Sequence, residues 1–163
     1  IISLEYLKDE LVPDSPLKKR SVVDVRCKDS NGRQFVVEIQ MEWVPEFMER
    51  MLYNTAKIYS NQIKKGEEYL ALHLVYGSAV LNKGFDKKTD DYYHQFEMLN
   101  PQNHNEKIKG ISMVFIELPK FVPQTKNEKE ITVLWLRFLN EIGEKTRNVS
   151  PELIANIEIG EAI

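Results

Sequence analysis

Residues 21–41 carry the sequence SVVDVRCK (Ser21–Lys28), DSNGR (Asp29–Arg33) and QFVVEIQM (Gln34–Met41). The two outer runs alternate apolar and polar side chains, as strands with one covered face do. The run between them is rich in residues that form tight turns. This stretch therefore predicts a β-hairpin, and the rest of the fold is built outward from it.

The register of the hairpin determines which side chains meet across it. A two-residue loop would pair Asp24 with Ile39, whereas a three-residue loop with Gly32 in the left-handed conformation pairs Asp24 with Glu38. The longer loop is preferred, because it separates apolar from polar side chains. One face then carries Val23, Val25, Cys27, Phe35, Val37, Ile39 and Met41, and the other carries Val22, Asp24, Arg26, Lys28, Gln34, Val36, Glu38 and Gln40.

The remaining elements follow from hydrophobic spacing and turn residues. A helix is predicted over Pro45–Lys65, with Arg50 and Lys57 on its more polar faces. The near-continuous apolar stretch Leu70–Leu81 predicts a central strand covered on both sides. Further strands are predicted at Tyr92–Leu99 and Ile111–Leu118, and helices over Glu128–Ile142 and from Ser150 onward. This order predicts one mixed α/β domain over residues 1–163.

The composition is that of an ordinary soluble domain. The chain has 163 residues, a formal net charge of −3 and a single cysteine, Cys27. A lone cysteine forms no internal disulfide, and no apolar run approaches the roughly 18–20 residues that a membrane span needs. The mild acidity argues against coating nucleic acid by bulk charge, although it permits a local basic groove. We therefore expect a cytoplasmic protein that does not span a membrane.

In the longer-loop register, two carboxylates, Asp24 and Glu38, face each other with Cβ atoms roughly 4.5–5.5 Å apart. Like charges so placed are destabilising, and a divalent cation such as Mg²⁺ removes the repulsion and can activate a water against a phosphodiester. Gln40 projects from the same face as Glu38, and we expect it to orient that water or a phosphate oxygen without supplying positive charge. The alternative is a solvated strand face, on which the two carboxylates pair with Arg26 or Lys28.

These residues resemble a known family. Lys19–Arg26 and Phe35–Met41 are similar to the motif hairpin of the PD-(D/E)XK nuclease family transposases, bacterial proteins of the restriction-endonuclease-like superfamily that are also described as recombination-promoting nucleases. The likeness continues at Arg50-Met51-Leu52-Tyr53, Tyr59, Gln62, Gly66, Glu67, Tyr69 and Tyr92–Phe96. It covers most of residues 10–120, and its motifs are specific in combination rather than singly.

The resemblance implies a restriction-endonuclease-like α/β/α core with a mixed sheet, in which the motif hairpin is followed by a helix and a central buried strand. It implies Asp24 and Glu38 as ligands of Mg²⁺ or Mn²⁺, with the backbone carbonyl of Ile39 as a third. Gln40 stands where the wider superfamily usually has lysine. Family members usually begin with a further helix that packs on the sheet, and Ile1 falls after its place, so we expect a fragment with an incomplete site.

Three side chains of the predicted helix are candidate contacts to DNA phosphates: Arg50, Lys57 and Gln62. The resemblance favours Arg50 and Gln62. A solvated helix surface is the alternative for all three.

The first functional hypothesis is a Mg²⁺- or Mn²⁺-dependent DNA endonuclease associated with transposition or recombination. In it, Asp24, Glu38 and Gln40 form the catalytic site, and a metal-activated water hydrolyses the phosphodiester. The second hypothesis is a catalytically degenerate nuclease fold that binds DNA or protein without cleavage. A third makes the hairpin face a dimer interface, and a homodimer would also suit a double-strand cutter with one site per chain.

Overall fold

The computed structural model describes residues 3–8, 10–11, 21–123, 130–143 and 150–156. Within these ranges the strands are β1 (Leu4–Tyr6), β2 (Glu10–Leu11), β3 (Ser21–Val22), β4 (Val25–Asp29), β5 (Gln34–Gln40), β6 (Val75–Leu81), β7 (Tyr93–Asn100) and β8 (Asn103–Glu117). The α-helices are α1 (Phe47–Ser60), α2 (Ile131–Gly143) and α3 (Pro151–Ile154).

Six of the strands form one sheet, in the order β1-β4-β5-β6-β8-β7, and β2 pairs with β3 separately. Helix α1 connects β5 to its neighbour β6, so the motif hairpin is followed by a helix and then by a central strand. This arrangement confirms the predicted α/β class and is consistent with a restriction-endonuclease-like core.

Strands β4 and β5 pair antiparallel in the register predicted for a three-residue loop. The ladder starts with Val25 opposite Val37. Gly32 ends the loop with a φ of 79°, the left-handed conformation expected for it. Continuing this register by one residue places Asp24 opposite Glu38, as the side-chain pattern predicts.

The two faces of the hairpin differ from the prediction at one end. Val23, predicted to share a face with Cys27, packs instead in a cluster with Val36. The reason is that Asp24 forms a bend just before β4, which interrupts the strand alternation. Cys27 is buried as predicted, but Ile39 on the same face is half exposed. The predicted apolar face is therefore only partly covered.

Helix α1 covers the opposite face of β5, which carries Val36 and Glu38. The buried residues of the helix recur at helical spacing and are Phe47, Met51, Asn54, Thr55, Lys57 and Ile58. Gly77 of β6 permits their close approach, because a Cβ at that position would lie 2.5 Å from Thr55 Oγ1. A side chain at this point of the sheet would therefore push α1 away from the strands.

Several element boundaries differ from the prediction. Helix α1 ends at Ser60 and not at Lys65. Beyond it, Gln62 Nε2 donates to the carbonyl of His73 at 2.8 Å and Gln62 Oε1 accepts the N–H of His73 at 3.0 Å, and these two bonds hold the chain in a loop. The predicted strand Leu70–Leu81 begins only at Val75, since residues 69–71 form a 3₁₀ turn. Strand β8 begins at Asn103 and not at Ile111 as predicted, because pairing with β7 satisfies the backbone of this segment although its side chains are polar.

The chain divides into two compact units, the first of residues 1–40, 44–80 and 93–116 and the second of residues 41–43, 81–92 and 117–163. In the second unit, the buried Glu117 carboxylate accepts the N–H groups of Phe85 and Asp86 and lies 2.6 Å from Lys120 Nζ. Leu134 and Phe138 of α2 cluster there with Leu153 of α3. None of the helices in the described ranges has the length and apolar character required to cross a membrane.

We expect Gly32→Ala to lower the free energy of unfolding by about 2 kcal/mol, because the left-handed conformation is unfavourable for an L-residue and the added Cβ is too close to a neighbouring side chain. That Cβ would lie 2.8 Å from the imidazole of His73. Urea denaturation measures the change. Gly66→Ala is the matched control, since Gly66 has a φ of 96° and nothing within 4 Å of the added Cβ. Equal losses in the two variants would contradict a packed hairpin loop.

Candidate functional site

The hairpin and the first half of α1 border a cavity of about 670 Å³ within the first unit. The described residues that line it are Val22, Asp24, Glu38, Ile39, Gln40, Glu46, Glu49, Arg50, Tyr53 and Asn54. The structure thus brings together every residue predicted as a metal ligand or catalytic group. Of the three residues predicted to contact DNA, only Arg50 is among the described residues that line this cavity.

Asp24 reaches the cavity because the chain leaves the strand ladder at this residue. The ladder ends at Val25, and the Asp24 Oδ2 atom accepts the backbone N–H of Ile39 at 2.7 Å. In a continued ladder that N–H would face Val23 instead. The bond fixes the Asp24 carboxylate against β5, next to Glu38.

Glu38 is only 6% exposed, because α1 lies over it. Its Oε1 accepts a long hydrogen bond from Asn54 Nδ2 at 3.4 Å, and its Oε2 lies 3.8 Å from Arg50 Nη2. Burial raises the pKa of the Glu38 carboxyl, the Arg50 charge lowers it in part, the Asp24 charge raises it further, and the Asn54 hydrogen bond lowers it. The net rise identifies a buried charge that its neighbours compensate only in part.

Arg50 is held from three sides. Its Nη2 donates to Gln40 Oε1 at 2.9 Å and lies 3.8 Å from Glu38 Oε2. Its guanidinium carbon stands 4.9 Å from the ring centroid of Phe47, which is fully buried and therefore a fixed platform. Gln40 and Arg50, for which the sequence predicts separate roles, are thus in direct contact.

Asn54 is a site residue that the sequence does not single out. It is completely buried, and its Oδ1 has no hydrogen-bond partner among the described residues. An unpaired buried amide oxygen is costly, and because Asn54 lines the same cavity as Asp24 and Glu38, this oxygen is a further candidate ligand for a cation. The one available signal is its spacing, because Asn54 lies four residues after Arg50 and therefore on the same helix face. Glu46, four residues before Arg50, follows the same rule.

Lys57 and Gln62 lie apart from the residues that line the cavity. Lys57 was predicted to lie on a polar face of the helix, but it is buried. Helix α1 packs on the six-stranded sheet and is also contacted by β2, so less of its surface is exposed to solvent. The Gln62 amide is bonded to the His73 backbone, which gives it a structural role. A contact of either residue with DNA stays a prediction.

Carboxylates dominate the charge of the cavity. Asp24, Glu38, Glu46 and Glu49 line it, against one cationic side chain among the described lining residues, Arg50. Nowhere in the described ranges do three or more His, Cys, Asp or Glu side chains group closely enough to hold a metal ion. A cation at this place would therefore combine two carboxylates with neutral oxygen atoms and water, a set that Mg²⁺ commonly takes.

A family model described as PD-(D/E)XK nuclease family transposase matches residues 1–161 of the 163. The matched range includes every residue that lines the cavity. No curated protein matches the chain, and no solved structure matches it.

We expect Glu38→Gln to be more stable than the wild type at neutral pH when no metal is present. A raised pKa means that the folded state binds the proton more tightly than the unfolded state. The free energy of unfolding therefore falls as the pH rises from about 4.3, the ordinary value of glutamate, through the raised value. Urea midpoints in EDTA at several pH values measure the difference between variant and wild type, which should grow with pH.

Asp29→Asn is a control in which the stability difference from the wild type should change with pH in the opposite direction. Burial alone would raise the pKa of Asp29, but hydrogen bonds from Arg33 and Asn31 and the Arg33 charge lower it overall. The stability that ionised Asp29 contributes is therefore present at neutral pH and is lost as the pH falls through its lowered pKa. A Glu38→Gln difference that does not change with pH would contradict an uncompensated charge at Glu38.

Proposed function

Since the chain belongs to the PD-(D/E)XK nuclease family of transposases, we propose that it is a metal-dependent DNA endonuclease domain that acts in transposition or recombination in the cytoplasm. Membership of a nuclease family implies DNA as the substrate. The observation that carries the proposal is that two carboxylates line one cavity: Asp24, fixed just before β4 by the Ile39 N–H, and Glu38 of β5.

The donor atoms of the cavity suit Mg²⁺ or Mn²⁺. The carboxylates of Asp24 and Glu38 and the backbone carbonyl of Ile39 are hard oxygen ligands. Two features support a cation here: the buried charge of Glu38, which its neighbours compensate only in part, and the Asn54 Oδ1, which has no hydrogen-bond partner among the described residues. A divalent cation bound to these residues lowers the pKa of a coordinated water and neutralises charge on a phosphate.

The reaction that we propose is hydrolysis of one phosphodiester. The oxygen of a water forms a bond to phosphorus, one ester P–O bond breaks, and the leaving oxygen takes up a proton, so that the products are a phosphate monoester and a hydroxyl group. Asp24 is held by its bond to the Ile39 amide, and Glu38 is held beneath α1 by Asn54. Both carboxylates are therefore in position before the substrate binds, which lowers the reorganisation that the reaction requires.

We expect the protein to cleave plasmid DNA with Mg²⁺ and to lose cleavage when EDTA removes the metal. Asp24→Asn and Glu38→Gln should each lower the cleavage rate by about 100-fold or more, because each removes a charged metal ligand while keeping the side-chain shape. Calorimetric titration with Mn²⁺ should show weaker binding in both variants.

Glu46→Gln and Glu49→Gln are the matched controls, since these carboxylates line the same cavity from α1 and the residue before it. We expect them to keep cleavage within about threefold of the wild type, as surface charge changes usually do. Cleavage that persists in Asp24→Asn or Glu38→Gln would show that the ligands are assigned wrongly. Binding of DNA without cleavage under any metal would favour the degenerate binding module instead.

A further inference from the structure

Among the described residues that line the cavity, one side chain is cationic, that of Arg50. It lies 3.8 Å from the carboxylate of Glu38, and Asp24, Glu46 and Glu49 line the same cavity. Hydrolysis of a phosphodiester places additional negative charge on the phosphate oxygens in the transition state. Gln40 carries no charge with which to stabilise it, so Arg50 is the described lining residue whose charge suits this task.

Arg50 is anchored along one edge of its guanidinium group. Its polar side-chain contacts both use Nη2, at 2.9 Å to Gln40 Oε1 and 3.8 Å to Glu38 Oε2, while Phe47 supports the plane from below. Within the described part of the chain, Nε and Nη1 make no such contact, and the side chain is 43% exposed. Arg50 is therefore preorganised, with donors left over for the oxygens of a phosphate.

Building on the proposed function, we propose that Arg50 is a catalytic residue that binds the scissile phosphate and stabilises the charge developing on its oxygens. Gln40 is then a positioning residue that holds Arg50. This role differs from the one predicted from the sequence, in which Gln40 orients the attacking water. The difference follows from the observed bond, because the Gln40 carbonyl oxygen already accepts a hydrogen from Arg50.

The test measures kcat and KM for cleavage of a short labelled duplex with Mg²⁺. Arg50→Ala should lower kcat by about 100-fold or more with little change in KM, as removal of a charge-stabilising donor does. Arg50→Lys keeps the charge but loses the planar guanidinium group, so its kcat should lie between those of the wild type and Arg50→Ala. Gln40→Ala should lower kcat by about tenfold, since Arg50 keeps its charge and loses its anchor. An arginine that only grips DNA would raise KM and leave kcat unchanged.

A rescue variant separates this role from a structural one. The lysine side chain is one atom longer than that of glutamine, so the ammonium group in Gln40→Lys/Arg50→Ala comes close to the place now taken by Arg50 Nη2. We expect the double variant to recover kcat by at least about tenfold over Arg50→Ala. If Arg50 served only to stabilise the fold, the lysine would change kcat by the same factor in Gln40→Lys, where Arg50 is present, as it does in the double variant relative to Arg50→Ala.

Lys28→Ala is the matched control, because Lys28 has the same side-chain exposure of 43% and the same 3.8 Å separation from its partner, Glu5, but does not line the cavity. It should leave kcat unchanged. Calorimetry with Mn²⁺ gives a readout independent of cleavage. Removing the positive charge beside Glu38 in Arg50→Ala should tighten Mn²⁺ binding by about threefold to tenfold, and the double variant should reverse this.

The outcomes distinguish the two proposals. Wild-type kcat and Mn²⁺ affinity in Arg50→Ala, with Asp24→Asn inactive, would overturn the role of Arg50 and leave the proposed function intact. Absence of Mn²⁺ binding in the wild type, or full cleavage by Asp24→Asn, would overturn both. A wild type that binds Mn²⁺ and DNA but never cleaves would also exclude a catalytic role for Arg50.

Discussion

A carboxylate almost entirely removed from water, Glu38 beneath α1, is the constraint on which the site depends. Burying such a charge costs several kcal/mol unless it is paired, hydrogen-bonded or protonated. Arg50 at 3.8 Å and one long hydrogen bond from Asn54 compensate it only in part, and its pKa stays raised. The opposed Asp24 adds to the excess, so this pair gains more from a cation than a solvated pair would.

The helix that buries Glu38 also supplies the groups that respond to its charge. Gly77 lets α1 settle against β6, and this packing brings Arg50 and Asn54 over β5. Phe47, in the first turn of the same helix, fixes the guanidinium group from below. One packing arrangement therefore sets both the burial of the carboxylate and the position of the cation.

The hairpin register was predictable because only one loop length separates its apolar from its polar side chains. The bend at Asp24, which ends the ladder and turns this carboxylate onto the Ile39 N–H beside Glu38, was not predicted. The face of β5 on which α1 packs was not predictable from the sequence, because Val36 is the single apolar residue of β5 on that face. A strand pattern does not specify which face a helix will bury. Asn54 was missed, and the placement of Lys57 on a polar face was wrong, for a related reason: the burial of polar residues on a helix depends on tertiary partners that local sequence does not encode.

The central claim is that Asp24 and Glu38 jointly bind a divalent cation. A crystal structure of the protein with Mn²⁺, with the metal located by its anomalous scattering, tests this claim most directly. The account predicts a peak at about 2.1 Å from a carboxylate oxygen of each residue, a distance typical of small hard cations. A fully occupied Mn²⁺ elsewhere, or a direct Arg50–Glu38 ion pair that excludes the metal from the cavity at saturating concentration, would contradict it.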